Sequence, residues 1–165
     1  MQDAGVGEIA DAQDEPTVED VYRATGERLW RALVAFAGDP EVASDAVAEA
    51  FAQLISRGQG VADPTRWVWR AGFKIAAGEL SRSRRTPPSM EVPTTNESPF
   101  EGSIDLMRAL HALPPRQRAV LILHYLVDLP TPEVADVLGM ATPTVRVHLT
   151  QGRRRLRVLL EDHDA

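Results

Sequence analysis

A chain of 165 residues is long enough for one domain or two small ones, and 44% hydrophobic with 25% charged residues is ordinary for a globular protein that buries a core. With no cysteine there is no disulfide framework, no thiolate metal cluster and no cysteine nucleophile, which suits a reducing cytosol. No apolar run approaches the roughly 18 residues that span a bilayer, and acids stand where a secretion signal carries bases, so a cytoplasmic protein is expected.

The formal net charge is -6, but residues 1 to 20 hold seven acids (Asp3, Glu8, Asp11, Asp14, Glu15, Glu19, Asp20) and no base. The remaining 17 acids face 18 basic residues, so the rest of the chain is nearly neutral. Residues 1–16 have one-sign charge and little apolar surface to offset ordering entropy; a disordered acidic tail is expected there.

Thr17 is placed to cap a first helix, with Val18, Tyr22, Thr25, Leu29, Leu33 and Phe36 stepping by three and four up to a stop at Gly38. Asp39 then caps a second helix with Pro40 at its first position; Ala43, Val47, Ala50 and Leu54 share one face, and Gly58 is the stop. Opposite that face, Glu41, Asp45 and Glu49 recur every four residues, a spacing that disfavours an isolated helix by a few tenths of about 1 kcal/mol per pair. A solvated face accounts for the stripe, and so does a docking surface for a basic partner.

Asp63-Pro64 repeats the start signal for a third helix, "PTRWVWRAGFKIAAGELSRSRR", running to about Arg85. It opens with Trp67 and Trp69, read as core. Its middle is thin, with Ala71, Gly72, Ala76, Ala77 and Gly78. A glycine inside a helix costs about 1 kcal/mol relative to alanine, so a close approach by another backbone or a ligand is expected there. Residues 86–102, "TPPSMEVPTTNESPFEG", carry four prolines and three acids and interrupt every periodicity. They are read as a flexible linker between a helical body at 17–85 and a second at 103–162.

In the second body Ile104, Met107, Leu110 and Leu113 make a short helix stopped by Pro114-Pro115, and another runs through Val120, Leu121, Leu123, His124 and Leu126. Thr131 is expected to cap a third, with Pro132 at its first position and Gly139 at its end, and Thr142-Pro143 to open the last. Two helices joined by a short glycine-containing turn match a helix-turn-helix, with Val134, Ala135, Leu138, Val145, Leu149, Leu156 and Leu160 as its core. No strand pattern competes, so the fold class is all-α: two small helical domains joined by the linker.

The stretch Val145 to Arg157, "VRVHLTQGRRRLR", has five arginines and no acid. With its apolar residues buried, Thr144, Arg146, Val147, His148, Thr150, Gln151, Arg153, Arg154 and Arg155 share the outer arc. Arg146 can donate to guanine edges, Gln151 can pair with adenine, Val147 can touch a thymine methyl, and the later arginines suit phosphates. A basic amphipathic helix also suits a membrane or an acidic protein; its place as second helix of the motif favours DNA.

"ALPPRQRAVLILHYLVDLPTPEVADVLGMATPTVRVHLTQGRRRLR" resembles the promoter-reading fourth region of bacterial RNA polymerase sigma factors, with a Leu-Pro-x-x-x-Arg opening ahead of the helix-turn-helix. "GDPEVASDAVAEAFAQL" followed by "WVWRAGFKIAAGELSRSRR" is similar to the second region of that family. Both regions in this order, around a Pro-rich linker, resemble the compact extracytoplasmic-function (ECF) type.

The resemblance implies core RNA polymerase as partner through its beta-prime coiled coil and beta flap, promoter DNA as ligand, no cofactor and no catalysis, and it leaves room for an anti-sigma factor. It implies polymerase docking by Asp39, Glu41, Asp45 and Glu49. Reading and melting of the -10 element would fall to Lys74, Gly78, Arg82, Arg84 and Arg85, and reading of the -35 duplex to the outer arc of the last helix. The chain departs from the pattern at Lys74 and Gly78, where the family often has Asn and Asp, at Ser44, at Val147, and at Ala141, whose capping role is expected to pass to Thr142. A helix-turn-helix regulator acting without polymerase is the alternative. An enzyme finds no support in four histidines without metal spacing and no phosphate loop.

Overall fold

The computed structural model describes residues 15–84 and 104–164; the acidic tail, apart from its last residues, and the linker lie outside them. Helix α1 spans Val18–Ala37, α2 Pro40–Arg57 and α3 Pro64–Ser83, with a single 3-10 turn at Gly58–Gly60 before α3. A second group holds α4 (Ile104–Ala112), α5 (Pro115–Leu121), α6 (Thr131–Leu138) and α7 (Thr142–Asp164). Among the described residues there is no strand.

The helix starts follow local chemistry. Thr17 and Asp20 form a reciprocal capping box, the Asp20 backbone N–H donating to Thr17 Oγ1 and the Thr17 N–H to Asp20 Oδ2. The Thr17 hydroxyl also donates to Asp20 Oδ2, at 2.6 Å, and this bond with the one from the Thr17 N–H holds the Asp20 carboxyl below the usual carboxylate range. Asp39 accepts from the Glu41 N–H and Asp63 from the Arg66 N–H, each with proline at the first helical position. Gly38 and Gly139 end α1 and α6 in the left-handed region, at φ 75° and 63°.

Two start signals differ from expectation. Helix α6 begins at Thr131 itself, with Pro130 ahead of it accepting the Glu133 and Val134 N–H groups through its carbonyl. Helix α7 begins at Thr142, and the carbonyl of Ala141 accepts the Val145 N–H, so Thr142 lies inside the first turn rather than capping it. Proline at a first-turn position is compatible with either register, because two successive N–H groups there need no helical partner.

Leu29, Leu33, Leu54, Val68 and Phe73 fill the space between α1, α2 and α3, while Val120, Leu123, Val134 and Val145 do so among α5, α6 and α7. Full burial of such side chains stabilises by about 1.5–3 kcal/mol each. In the thin stretch of α3, Gly72 is approached by side chains of α1 rather than by a backbone: a β-carbon there would sit 3.2 Å from Leu29 Cδ1 and 3.3 Å from Leu33 Cδ1. Tyr22, expected on the buried face, is outside it, edge-on to Phe51 at 5.1 Å.

The two helix groups pack on one another, and their buried residues form one continuous cluster. Arg118, the arginine of the Leu-Pro-x-x-x-Arg opening, ties them. Its Nε donates to Leu110 O (3.0 Å), Nη1 to Phe36 O (2.7 Å), and Nη2 to His111 O (2.9 Å) and Leu113 O (3.1 Å). The guanidinium lies over the Phe36 ring at 5.9 Å and is almost wholly buried. Carbonyls at the C-terminal ends of α1 and α4 carry the negative pole of each helix, so two helix ends supply the counter-charge that a carboxylate would otherwise give. Three more contacts cross the groups: Arg28 Nη2 donates to Val127 O (3.1 Å), His111 Nε2 lies 3.0 Å from Ala35 O, and Arg66 Nε lies 3.2 Å from Asp136 Oδ2. The last is an ion pair without hydrogen-bond alignment.

Candidate nucleic-acid interface and acidic face

Helix α7 turns one side to the core. Val145 and Leu149 are buried and Leu156 packs against the cluster. Between them Gly152 is buried against α5, where a β-carbon would meet Leu121 Cδ1 at 3.1 Å. A glycine inside so basic a helix was the signal for this close crossing, and periodicity alone did not expose it.

The remaining arc is the predicted one. Thr144, Arg146, Val147, Thr150, Gln151, Arg153, Arg154 and Arg155 are exposed, and His148 is half-covered. Thr150 Oγ1 donates back to Arg146 O at 3.1 Å, so its hydroxyl proton is already used within the helix. Gln151 is less free than its exposure suggests: its Oε1 accepts from Nε2 of the buried Gln117 at 3.1 Å, and Gln117 Oε1 accepts from Arg155 at 3.3 Å. His148 faces the gap between helix groups, and its Nδ1 is buried with no hydrogen-bond partner among the described residues. Arg153 donates from Nη1 to Tyr125 Oη at 3.1 Å.

On α3, Lys74 is exposed, Gly78 half-buried, and Arg82 and Arg84 exposed, with Arg82 paired to Glu79 at 2.5 Å. A β-carbon on Gly78 would meet only Arg82 Nη2, at 3.9 Å, so no close packing explains that glycine. Arg85 lies outside the described residues. Arg70, four residues before Lys74 and likewise exposed, extends the same basic stripe. The end of α3 and the start of α5 enclose a cleft of about 560 Å³ bordered by Ala77, Ser81, Arg84, Arg116 and His148. Candidate residues of α3 and α7 thus meet across one gap.

The acidic stripe of α2 faces solvent. Glu41, Asp45 and Glu49 are exposed, and Glu49 accepts from Gln53 Nε2 at 2.7 Å; Asp39 is the half-buried cap. Ala48, Ala52 and Ile55 are exposed along the same side. Ser44, at a position often acidic in the family, accepts from Trp30 Nε1 at 3.0 Å, so the hydroxyl satisfies a half-covered indole.

A family model for sigma-70 region 4 matches residues 103–156. RNA polymerase sigma-E factor of Streptomyces antibioticus is 30% identical over 159 residues, covering 88% of this chain and 86% of that protein. ECF RNA polymerase sigma factor SigE of Mycolicibacterium smegmatis is 26% identical over 164 residues, 91% of this chain and 64% of the relative. Two solved structures share the fold at a TM-score of 0.64: CnrH in complex with the cytosolic domain of CnrY, at 21% identity over 90% of this chain and 89% of that one, and the sigma factor RpoE in complex with the anti-sigma factor NepR from Bartonella quintana, at 19% identity over 87% and 98%. The basic outer arc of α7 lies inside the region 4 match, and the 30% relative extends the likeness across both helix groups: the chain belongs to the RNA polymerase sigma factor family, in its extracytoplasmic-function type.

Proposed function

We propose that this chain is a dissociable specificity subunit that binds core RNA polymerase and directs initiation at promoters by reading their -35 and -10 elements. The observation that carries the reading is the orientation of α7: Val145, Leu149 and Gly152 are turned inward, and Arg146, Thr150, Arg153 and Arg154 outward. Such a helix fits a major groove with polar groups at its N-terminal half and cations beyond. In the same reading Lys74, Gly78, Arg82, Arg84 and Arg85 engage the -10 strand. Asp39, Glu41, Asp45 and Glu49 offer an acidic face to the beta-prime coiled coil, and the second helix group meets the beta flap. An anti-sigma factor belongs to the same proposal as an inhibitory partner. No chemical step is assigned to the chain itself.

Elements about 25 base pairs apart are separated by about 85 Å at 3.4 Å per base pair, whereas α3 and α7 border one cleft here. Simultaneous reading of both elements therefore requires the helix groups to part.

Runoff transcription with purified core polymerase and a library of promoter fragments is the test. A regulator acting without polymerase would bind duplex DNA and give no chain-dependent transcript.

A further inference from the structure

We propose that Tyr125 is a DNA phosphate ligand, set beside Arg153 by a π-helical turn so that the pair grips one strand flanking the duplex read by α7. This rests on the reading of α7 as a duplex-reading helix and adds a residue outside its arc.

The backbone after α5 widens into a π-helix over Ile122–Leu126, followed by Asp128 at φ 63°. π-turns insert an extra residue into a helix and redirect the side chains beyond it. Here Ile122 and Leu123 stay buried, whereas Tyr125 is turned out to 56% exposure.

The ring is held where it is. His124 packs edge-on to it at 4.8 Å, and His124 is itself pinned by a 2.9 Å contact between Nδ1 and Leu129 O. Arg153 Nη1 donates to the phenolic oxygen at 3.1 Å, so the hydroxyl acts there as acceptor and its own proton is left to donate elsewhere.

Arg153 follows Arg146 by seven residues and Thr150 by three, which places all three on one side of α7. Tyr125, bonded to Arg153, therefore sits at the rim of the arc and brings an O–H donor beside that guanidinium. A phosphodiester oxygen accepts from both kinds of donor, and phosphate contacts from tyrosine and arginine commonly fix the register of a protein on duplex DNA.

Tyr125→Phe removes only the hydroxyl from an exposed ring. Fluorescence anisotropy of the full chain with two 24-base-pair duplexes of unrelated sequence, at low ionic strength, reads its effect, and circular dichroism checks that the melting temperature is kept. The expected result is about three- to tenfold weaker binding to both duplexes alike, the worth of one hydrogen bond, with no change in salt slope because no charge is lost. Arg153→Ala should lower the slope by about one unit, and adding Tyr125→Phe to it should cost less than twofold more.

Affinity within twofold of the parent for Tyr125→Phe overturns the proposal, and so does a loss confined to one sequence or one that merely tracks a lowered melting temperature. If the parent chain fails to bind either duplex, the reading of α7 falls along with it.

Discussion

Replacing Arg118 with methionine tests the buried node between the helix groups. The substitution keeps an unbranched apolar stem and deletes a guanidinium that satisfies four carbonyls, of Leu110, Phe36, His111 and Leu113. Two of these bonds, to Phe36 O and Leu113 O, are buried, so water cannot readily replace them. At about 1–3 kcal/mol for each buried acceptor left unpaired, with some return from keeping the stem, the expected loss is about 3–4 kcal/mol. Arg118→Lys keeps the charge but brings three donors from one point instead of a planar fork, so it should recover only part of that loss. Urea unfolding followed by circular dichroism measures both. Because the bond to Phe36 crosses the helix groups, Arg118→Met should also loosen them. The chain has no cysteine, so dyes on Ala52→Cys and Val158→Cys, both exposed positions, report the separation by energy transfer. A cost below about 1 kcal/mol would show that the carbonyls find other partners, and an unchanged dye distance would show that the node does not hold the groups together.

Burial of the His111 imidazole against α1 holds its pKa below 6.5, with Arg118 nearby acting the same way and the contact to Ala35 O opposing them. The unfolded chain therefore takes up this proton first as pH falls, so stability is full above pH 6.5 and declines below it until the lowered folded value is passed. His111→Gln should show a smaller drop in melting temperature between pH 7.5 and 5.5, and an identical drop would refute the assignment. A β-carbon at Gly38 would be strained by φ 75° and would also sit within 2.3 Å of His111 Cε1, whereas one at Gly139 meets nothing within 4 Å at φ 63°. Gly38→Ala should thus cost about 1 kcal/mol more than Gly139→Ala in urea titrations, the difference being the displaced His111 contact; equal costs would place the ring elsewhere in solution. Charge reversal of Asp45 and Glu49 to lysine should weaken core polymerase binding at least tenfold while helicity is kept. Unchanged affinity in a pull-down titration would return the stripe to a solvated face.

Capping and stop signals were legible because they act within four residues. Thr17 with Asp20, Asp39 with Pro40, Asp63 with Pro64, and the left-handed glycines 38 and 139 each fix backbone angles or satisfy end groups locally. The same short range made the outer arc of α7 and the acidic stripe of α2 readable from helical spacing. Where two local solutions were equally good, at Thr131 and Thr142, local reasoning put the start one residue off.

Other features depend on partners far along the chain. Nothing near Arg118 in sequence announces that Phe36, 82 positions away, will accept its hydrogen bond, nor that Val127 will hold Arg28 across 99. Gln151 reads as a free base-pairing amide until Gln117, 34 residues before it, is brought alongside. Tyr125 lies in the stretch expected to continue as a helix to Leu126, and only the π-turn shows it facing outward to Arg153. Local dihedral preferences and periodicity determined which residues are helical and which side of each helix is polar. The docking of one helix group on the other, which brings together carbonyls, amides and rings distant in sequence, was decided only by how the buried surfaces fit.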